Sequence, residues 1–441
     1  MSVLWRGDDG YEEARLAAVW NELKPDRHPA GIVLAETEQD VVDAVTLARE
    51  RGLKVKARSG GHSWTGSSVR DDALLVNLAA LNEVTVDPAT RTATVQPGAQ
   101  GRTLNALLEP HGLIFPTGHC PTVGVGGYLL QGGWGWNSPS VGPACVSVVG
   151  VDVATADGEL VHGDADTNPD LLWAARGAGA GYFGIVTRFH LRCHPRPASM
   201  MSSVYVYPMD VLDELLRWAA ELQETLPPQM EFVILGMTPR NGLDVEEGDP
   251  ALVINANVFF DTDEESARAL GVLEDCPVRD RAVAAEPCRS VTMDELYDMG
   301  AGAEVPGFRW AVDNMWTDAG PDELIPAIRD LFLELPTPAS HVFWMRWRPQ
   351  EIPDSALSVT GKTYIAAFSG WTDPGDDERL RYWGRDHMRR LAPLSKGIQL
   401  ADENLLARPE SRYLSDEANA RLEALRAEWD PDDVFCSYLK G

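Results

Sequence analysis

The chain runs to 441 residues, 44% of them hydrophobic, which is enough to bury a substantial core in two or three structural units. Its 67 acidic residues outnumber 38 basic ones and leave a formal charge of −29, so nucleic-acid backbones and anionic lipid surfaces are poor partners. No apolar stretch reaches the roughly 18 residues of a membrane span and the first residues lack a signal-peptide pattern, so a cytoplasmic chain, monomeric or homodimeric, is expected.

Residues 37–52 predict an amphipathic helix, with a capping box from Thr37 to Asp40, an apolar face of Val41, Val42, Val45 and Leu47, and Gly52 as its stop. A short strand over 53–57 then enters a first glycine-rich loop, Arg58-Ser59-Gly60-Gly61-His62-Ser63. Strands follow at 73–78, 84–86 and 92–96, then a helix over 101–112 and a second glycine-rich loop that runs from Gly118 through His119 and Cys120 to Gly127. Residues 148–154 and 159–162 read as a hairpin about Asp157-Gly158, and 185–193 as a further strand before Pro195 and Pro197 mark a boundary.

Beyond residue 199 the texture changes. Strands at 201–207, 231–237, 251–260, 308–316, 341–348 and 363–371 are separated by helices at 209–225, 264–273 and 321–335. That pattern predicts an α+β fold in which an antiparallel sheet has helices on one face and a free face on the other. A helix over 416–428 closes the chain.

Glycines let backbone amides turn toward an anion, so the two loops together can form a nest for a pyrophosphate. Each loop also presents one nucleophile, His62 in the first and Cys120 in the second. A dinucleotide-binding Rossmann unit is disfavoured, because neither Gly124-Val125-Gly126-Gly127 nor the glycines of 177–181 sit in an N-terminal strand-turn-helix with an acidic residue ~20 positions on. The six cysteines form no CxxC pairs, and His62, His119 and Cys120 match no common zinc spacing, so neither a metal site nor a disulfide framework is expected.

These loops, with Gly132-Gly133-Trp134-Gly135, the segments 170–177 and 182–187, and Trp429-Asp430-Pro431-Asp432-Asp433-Val434-Phe435, carry a resemblance that runs nearly end to end. The chain resembles the FAD-linked oxidases of the vanillyl-alcohol oxidase superfamily, with their PCMH-type FAD-binding domain, and within it the berberine bridge enzyme-like branch. The resemblance implies an FAD-binding domain over 1–198, a substrate-binding domain over 199–398, and a C-terminal segment, 399–441, that returns to the first. It implies FAD held covalently at two points, His62 on the flavin 8-methyl carbon and Cys120 on carbon 6. Both side chains are nucleophiles suited to the electron-poor ring edge.

By the same resemblance, Arg58, Ser59, Gly60, Gly61 and Ser63, with Gly124, Gly126 and Gly127, surround the pyrophosphate. Pro116, Thr117 and Gly118 then line the ring edge, and Val141, Gly184, Ile185 and Val186 flank the adenosine. Val123 holds the position where valine goes with oxidases and leucine with dehydrogenases, which implies dioxygen as co-substrate.

The resemblance breaks at Gln399, where relatives carry a tyrosine that takes the substrate proton. An amide is no base at neutral pH, which leaves Asp402, Glu403 and Tyr364 as candidate substitutes. On the free face of the sheet, Asn255, Trp310, Asn314, Trp344 and Arg346 are candidate substrate contacts by strand alternation. The implied activity is a flavin oxidase that takes hydride from a natural product or carbohydrate and yields hydrogen peroxide. A drug-resistance or sequestration flavoprotein that reoxidises a reduced quinone, and a dehydrogenase with another acceptor, are the alternatives.

Overall fold

The structure, a computed structural model, describes residues 1–239, 249–303, 305–347 and 351–441. The helix expected at the first capping box is Glu38–Arg51. Thr37 caps it and exchanges hydrogen bonds with Asp40, and Gly52 ends it in the left-handed region at φ 65°. Caps of this kind each contribute about 1 kcal/mol. The helix packs Val41, Val45 and Ala48 against a four-stranded sheet ordered Ser2–Trp5, Gly31–Leu34, Leu74–Asn77, Val55–Arg58, whose last three strands run parallel.

Next to it stands a five-stranded antiparallel sheet, in the order Val84–Asp87, Thr92–Val95, Ile185–Arg192, Val148–Ala154, Leu160–Asp164. The hairpin of its last two strands turns at Gly158, φ 76°.

Among the described residues, a seven-stranded antiparallel sheet forms the third layer. Its order is Ala284–Ser290, Ser199–Pro208, Ala251–Phe260, Met230–Met237, His341–Arg346, Thr363–Trp371, Arg309–Thr317. Helices Leu212–Leu222, Asp263–Gly271 and Pro321–Leu333 cover one face, where Ile234, Ile254, Met315, Trp344 and Ile365 are buried with Leu215, Ile328 and Phe332. The opposite face carries a second apolar cluster, built on Val233, Trp310, Trp316, Met345, Trp347 and Phe368. The α+β class with helices on one sheet face therefore holds.

The phase of one strand differs from expectation. Trp344 pairs with Ile234 and Ile365 and lies in the helix-side core, so Phe343 and Met345 are the residues of that strand that face the other way. The side chain of candidate Arg346 lies outside the described residues.

Candidate functional site

A cavity of about 420 Å³ lies where the first two sheets meet the helix-free face of the third. Both glycine-rich loops line it, and they pack backbone against backbone. A Cβ at Gly60 would fall 2.4 Å from Gly124 N, and one at Gly124 would fall 2.6 Å from Gly60 N, so both positions require glycine. Gly61 takes the left-handed conformation at φ 75°. Arg58 builds the first loop from behind: its guanidinium donates to the carbonyls of Ala18 at 3.0 Å, Ser59 at 2.7 Å and Gly60 at 3.2 Å. Ser59 Oγ then accepts from Gly127 N at 3.1 Å and pins the second loop to the first.

This packing brings the two nucleophiles together. His62 Nε2 lies 3.1 Å from Thr122 Oγ1, and Cys120 Sγ lies 3.6 Å from the same oxygen. Trp20 stacks on the His62 ring with centroids 5.1 Å apart. Burial, helped by the Arg58 charge, pushes the His62 pKa down to about 4 and keeps the imidazole neutral. Val123 lines the cavity next to Cys120 and packs on the core behind it.

Of the other sequence candidates, Ser63, Gly118, Gly184 and Ile185 also line the cavity. Gly126 packs under it against Pro97 and Ser59 Oγ. Pro116, Thr117, Val141 and Val186 are not among the lining residues. The Pro116 carbonyl accepts from Tyr128 Oη at 2.7 Å, Thr117 is buried in a cluster with Asn105 and Tyr297, and Val186 belongs to the core of the second sheet. Val141 ends a short helix outside the cavity.

Asp402 lies at the centre of the polar group facing the third sheet. Trp64 Nε1 donates to its Oδ1 at 2.8 Å, while Tyr364 Oη donates to Oδ2 and Gln399 Nε2 stands 3.5 Å from the same atom. Burial and the adjacent Asp402 charge raise the Tyr364 pKa well above that of an ordinary phenol.

The turn that carries Gln399 and Asp402 is tied to the sheet by Asn314. Its Nδ2 donates to the Asp402 carbonyl at 2.7 Å and to the Gln399 carbonyl at 3.2 Å, and its Oδ1 accepts from Gln399 N at 2.8 Å. One residue earlier, Asp313 forms a buried bidentate pair with Arg408 at 2.6 and 3.0 Å. Trp310 is fully buried beneath this face, and Asn255 reaches the cavity.

Among the lining residues that sequence reasoning missed, two carry an ionisable acid or amine. Lys56 stands two positions before Arg58 on the strand that feeds the first loop, and that i, i+2 spacing is the signal that would have found it. Its Nζ donates to the carbonyls of Ala180 and Cys436 at 2.8 and 2.9 Å, and burial pushes its pKa down to about 7. Glu231 is buried on the third sheet, with one carboxylate oxygen 2.5 Å from His119 Nε2 and the other accepting from Asn137 N at 3.3 Å. Nothing in its sequence setting marks it.

The FAD binding domain family matches residues 29–164. The FAD-linked oxidoreductase nodO of Hypoxylon pulicicidum is 33% identical over 439 residues, covering 98% of this chain and 96% of its own. The chain belongs to the FAD-linked oxidoreductase family. Among solved structures, Physcomitrella patens BBE-like 1 superposes with a TM-score of 0.85 at 21% identity, over 99% of this chain and 96% of its own. The 6-hydroxy-D-nicotine oxidase of Arthrobacter nicotinovorans superposes with a TM-score of 0.85 at 22% identity, over 100% and 97%. At those identities the likeness is one of fold. As a member of this family the protein is an FAD-dependent oxidoreductase.

The cavity fits that cofactor on its own chemistry. Paired glycine loops bring backbone close to an anion, Lys56 and Arg58 supply positive charge beside them in a chain of net charge −29, and a neutral imidazole and a thiol face the same space.

Proposed function

We propose that the protein is a flavin oxidase whose FAD is bonded through His62 and Cys120 and which accepts hydride from a natural product or carbohydrate. The observation that carries this reading is the convergence of His62 Nε2 and Cys120 Sγ on Thr122 Oγ1 within one cavity. FAD held there would supply the hydride acceptor and the two electrons that, with the hydride's proton and the one removed from the substrate, convert dioxygen to hydrogen peroxide.

The chain's own residues then have separate tasks. The nest of Ser59, Gly60 and Gly124 with Lys56 holds the pyrophosphate, and neutral His62 and Cys120 fix the ring edge. Gly184 and Ile185, on the cavity wall, would hold the adenosine end. Val123 leaves room for dioxygen to approach.

Asp402 is the proton acceptor. Gln399, an amide, serves only to orient it. Trp64 and Tyr364 hold the carboxylate in place, and Tyr364 lines the cavity, so its hydroxyl takes a substrate proton as it gives its own to Asp402. The high pKa of Tyr364 supports a relay of this kind, since a phenol that resists ionisation must give up its proton as it receives another. Asn255, Phe343 and Trp347 form the substrate wall, with Trp310 as packing behind it and Asn314 as the support of the catalytic turn. An apolar, aromatic wall with a few polar groups suits a medium-sized substrate.

The test is anaerobic reduction followed by mixing with air in a stopped-flow instrument. Reoxidation within seconds with one peroxide per flavin supports the oxidase. Reduced flavin that persists for minutes overturns it in favour of a dehydrogenase, and Val123→Leu is expected to slow the wild-type reaction at least tenfold.

A further inference from the structure

The outer face of the five-stranded sheet carries a cluster that the flavin chemistry does not use. Phe189, Leu191, Val151 and Val153 point into the core, so their strand neighbours His190 and Asp152 point out. His162 is the cross-strand partner of Asp152 on the edge strand, and Thr94 is the partner of His190 on the other side. Thr94, His190, Asp152 and His162 thus lie on four adjacent strands, with His190 diagonal to Asp152 because its direct partner on that strand is Gly150.

The polar atoms converge. Asp152 Oδ1 lies 2.6 Å from His162 Nδ1, and Oδ2 lies 3.1 Å from His190 Nε2. One ligand atom from each of the three residues falls within 4.8 Å of the others. Ligands about 2.1 Å from a tetrahedral ion stand about 3.4 Å from one another, so side-chain shifts below about 1 Å admit the ion.

Both far ring nitrogens are also held: His162 Nε2 is 3.2 Å from Asp164 Oδ2, and His190 Nδ1 is 3.2 Å from Thr94 Oγ1. Outer partners of this kind fix the orientation of a ligating imidazole. Asp164 is fixed in turn by the amides of Asp166 and Thr167 at 2.8 and 2.7 Å. Gly150 provides the space, since a Cβ there would meet His162 Cε1 and His190 Cδ2, each at 3.3 Å. Arg188, opposite Asp152, directs its guanidinium to Glu38 at 2.9 Å.

We propose that Asp152, His162 and His190 bind one divalent transition-metal ion of the zinc class, with solvent as the remaining ligand, clamping three strands of the sheet. Two imidazoles and one carboxylate select zinc, nickel or cobalt over magnesium and calcium. No ligand spacing is visible in the sequence, because the contacts join residues 10 and 38 apart through strand pairing.

The test uses untagged, flavin-loaded, chelator-stripped protein, titrated with zinc chloride and, separately, magnesium chloride by calorimetry. Expected is one zinc per chain and no magnesium binding. His162→Ala and His190→Ala each weaken zinc at least tenfold, and Asp164→Asn weakens it about tenfold. Flavin absorbance and metal-free thermal midpoint serve as folding controls in each variant. Zinc binding of unchanged stoichiometry and affinity in the double variant His162→Ala/His190→Ala, or no zinc binding by the parent protein, overturns the proposal.

Discussion

The buried, neutral state of His62 predicts how flavin attachment responds to pH. The nucleophile is the unprotonated imidazole, and burial with the neighbouring Arg58 holds its pKa at about 4 instead of the usual 6.5. At about pH 6 such a ring is about 99% neutral, whereas an ordinary histidine is about 24% neutral. In a Cys120→Ala background, which isolates the histidine link, attachment to added FAD is therefore expected to proceed at nearly the same rate at about pH 6 as at about pH 8. An unperturbed histidine would slow roughly fourfold over that range. The assay is the time course of acid-stable flavin after FAD is mixed with apoprotein. A fourfold fall at the lower pH would refute the argument that burial keeps His62 in its reactive form.

Asp402→Asn and Tyr364→Phe are expected to cut turnover by about 10² to 10⁴ while FAD content stays unchanged, the range for loss of a positioned proton acceptor; full activity of Asp402→Asn excludes it as the base. Lys56 makes affinity for the cofactor pH-dependent. Its lowered pKa, about 7, means that above that value an anion must draw a proton onto it, so FAD binding to His62→Ala/Cys120→Ala should weaken by about tenfold per unit at alkaline pH and level off below about pH 6. Lys56→Met should bind more weakly with a flat profile, and a flat profile in the parent variant contradicts the assignment. Arg408→Met strands the buried Asp313 carboxylate, a stability loss of about 3 to 5 kcal/mol in denaturant unfolding, and a loss below about 1 kcal/mol would show the pair to be dispensable.

Local signals were legible where one short segment decides the outcome. Thr37, Asp40 and Gly52 mark both ends of their helix, and the strands Ala251–Phe260 and Thr363–Trp371 fall where alternation and length place them. Phase was not legible at Phe343-Trp344-Met345, because the strand is apolar on both faces and only its pairing with Ile234 and Ile365 decides which side meets the helices. The strand Ala284–Ser290 carries Pro287, charge and almost no buried side chain, as an edge strand can, and gives no periodic signal.

The loop motifs identified both nucleophiles, yet the polar centre depends on long-range contacts. Asp402 meets Trp64 across 338 residues of chain, and Asn314 supports that turn from the sheet although alternation alone would present it as a substrate contact. Glu231 sits in a strand whose other residues look ordinary, and only the assembled cavity reveals it, whereas Lys56 was marked by its i, i+2 spacing from Arg58.

The central claim is that one flavin is bonded to both His62 and Cys120. Proteolysis of the purified yellow protein, followed by mass spectrometry of the flavin-absorbing peptides, tests it directly. The account predicts a single species in which the peptide containing His62 and the peptide containing Cys120 are joined through one FAD, and unmodified peptides only in the His62→Ala/Cys120→Ala variant. Recovery of both peptides unmodified from the yellow wild-type protein, with all its FAD free in the supernatant, would contradict it.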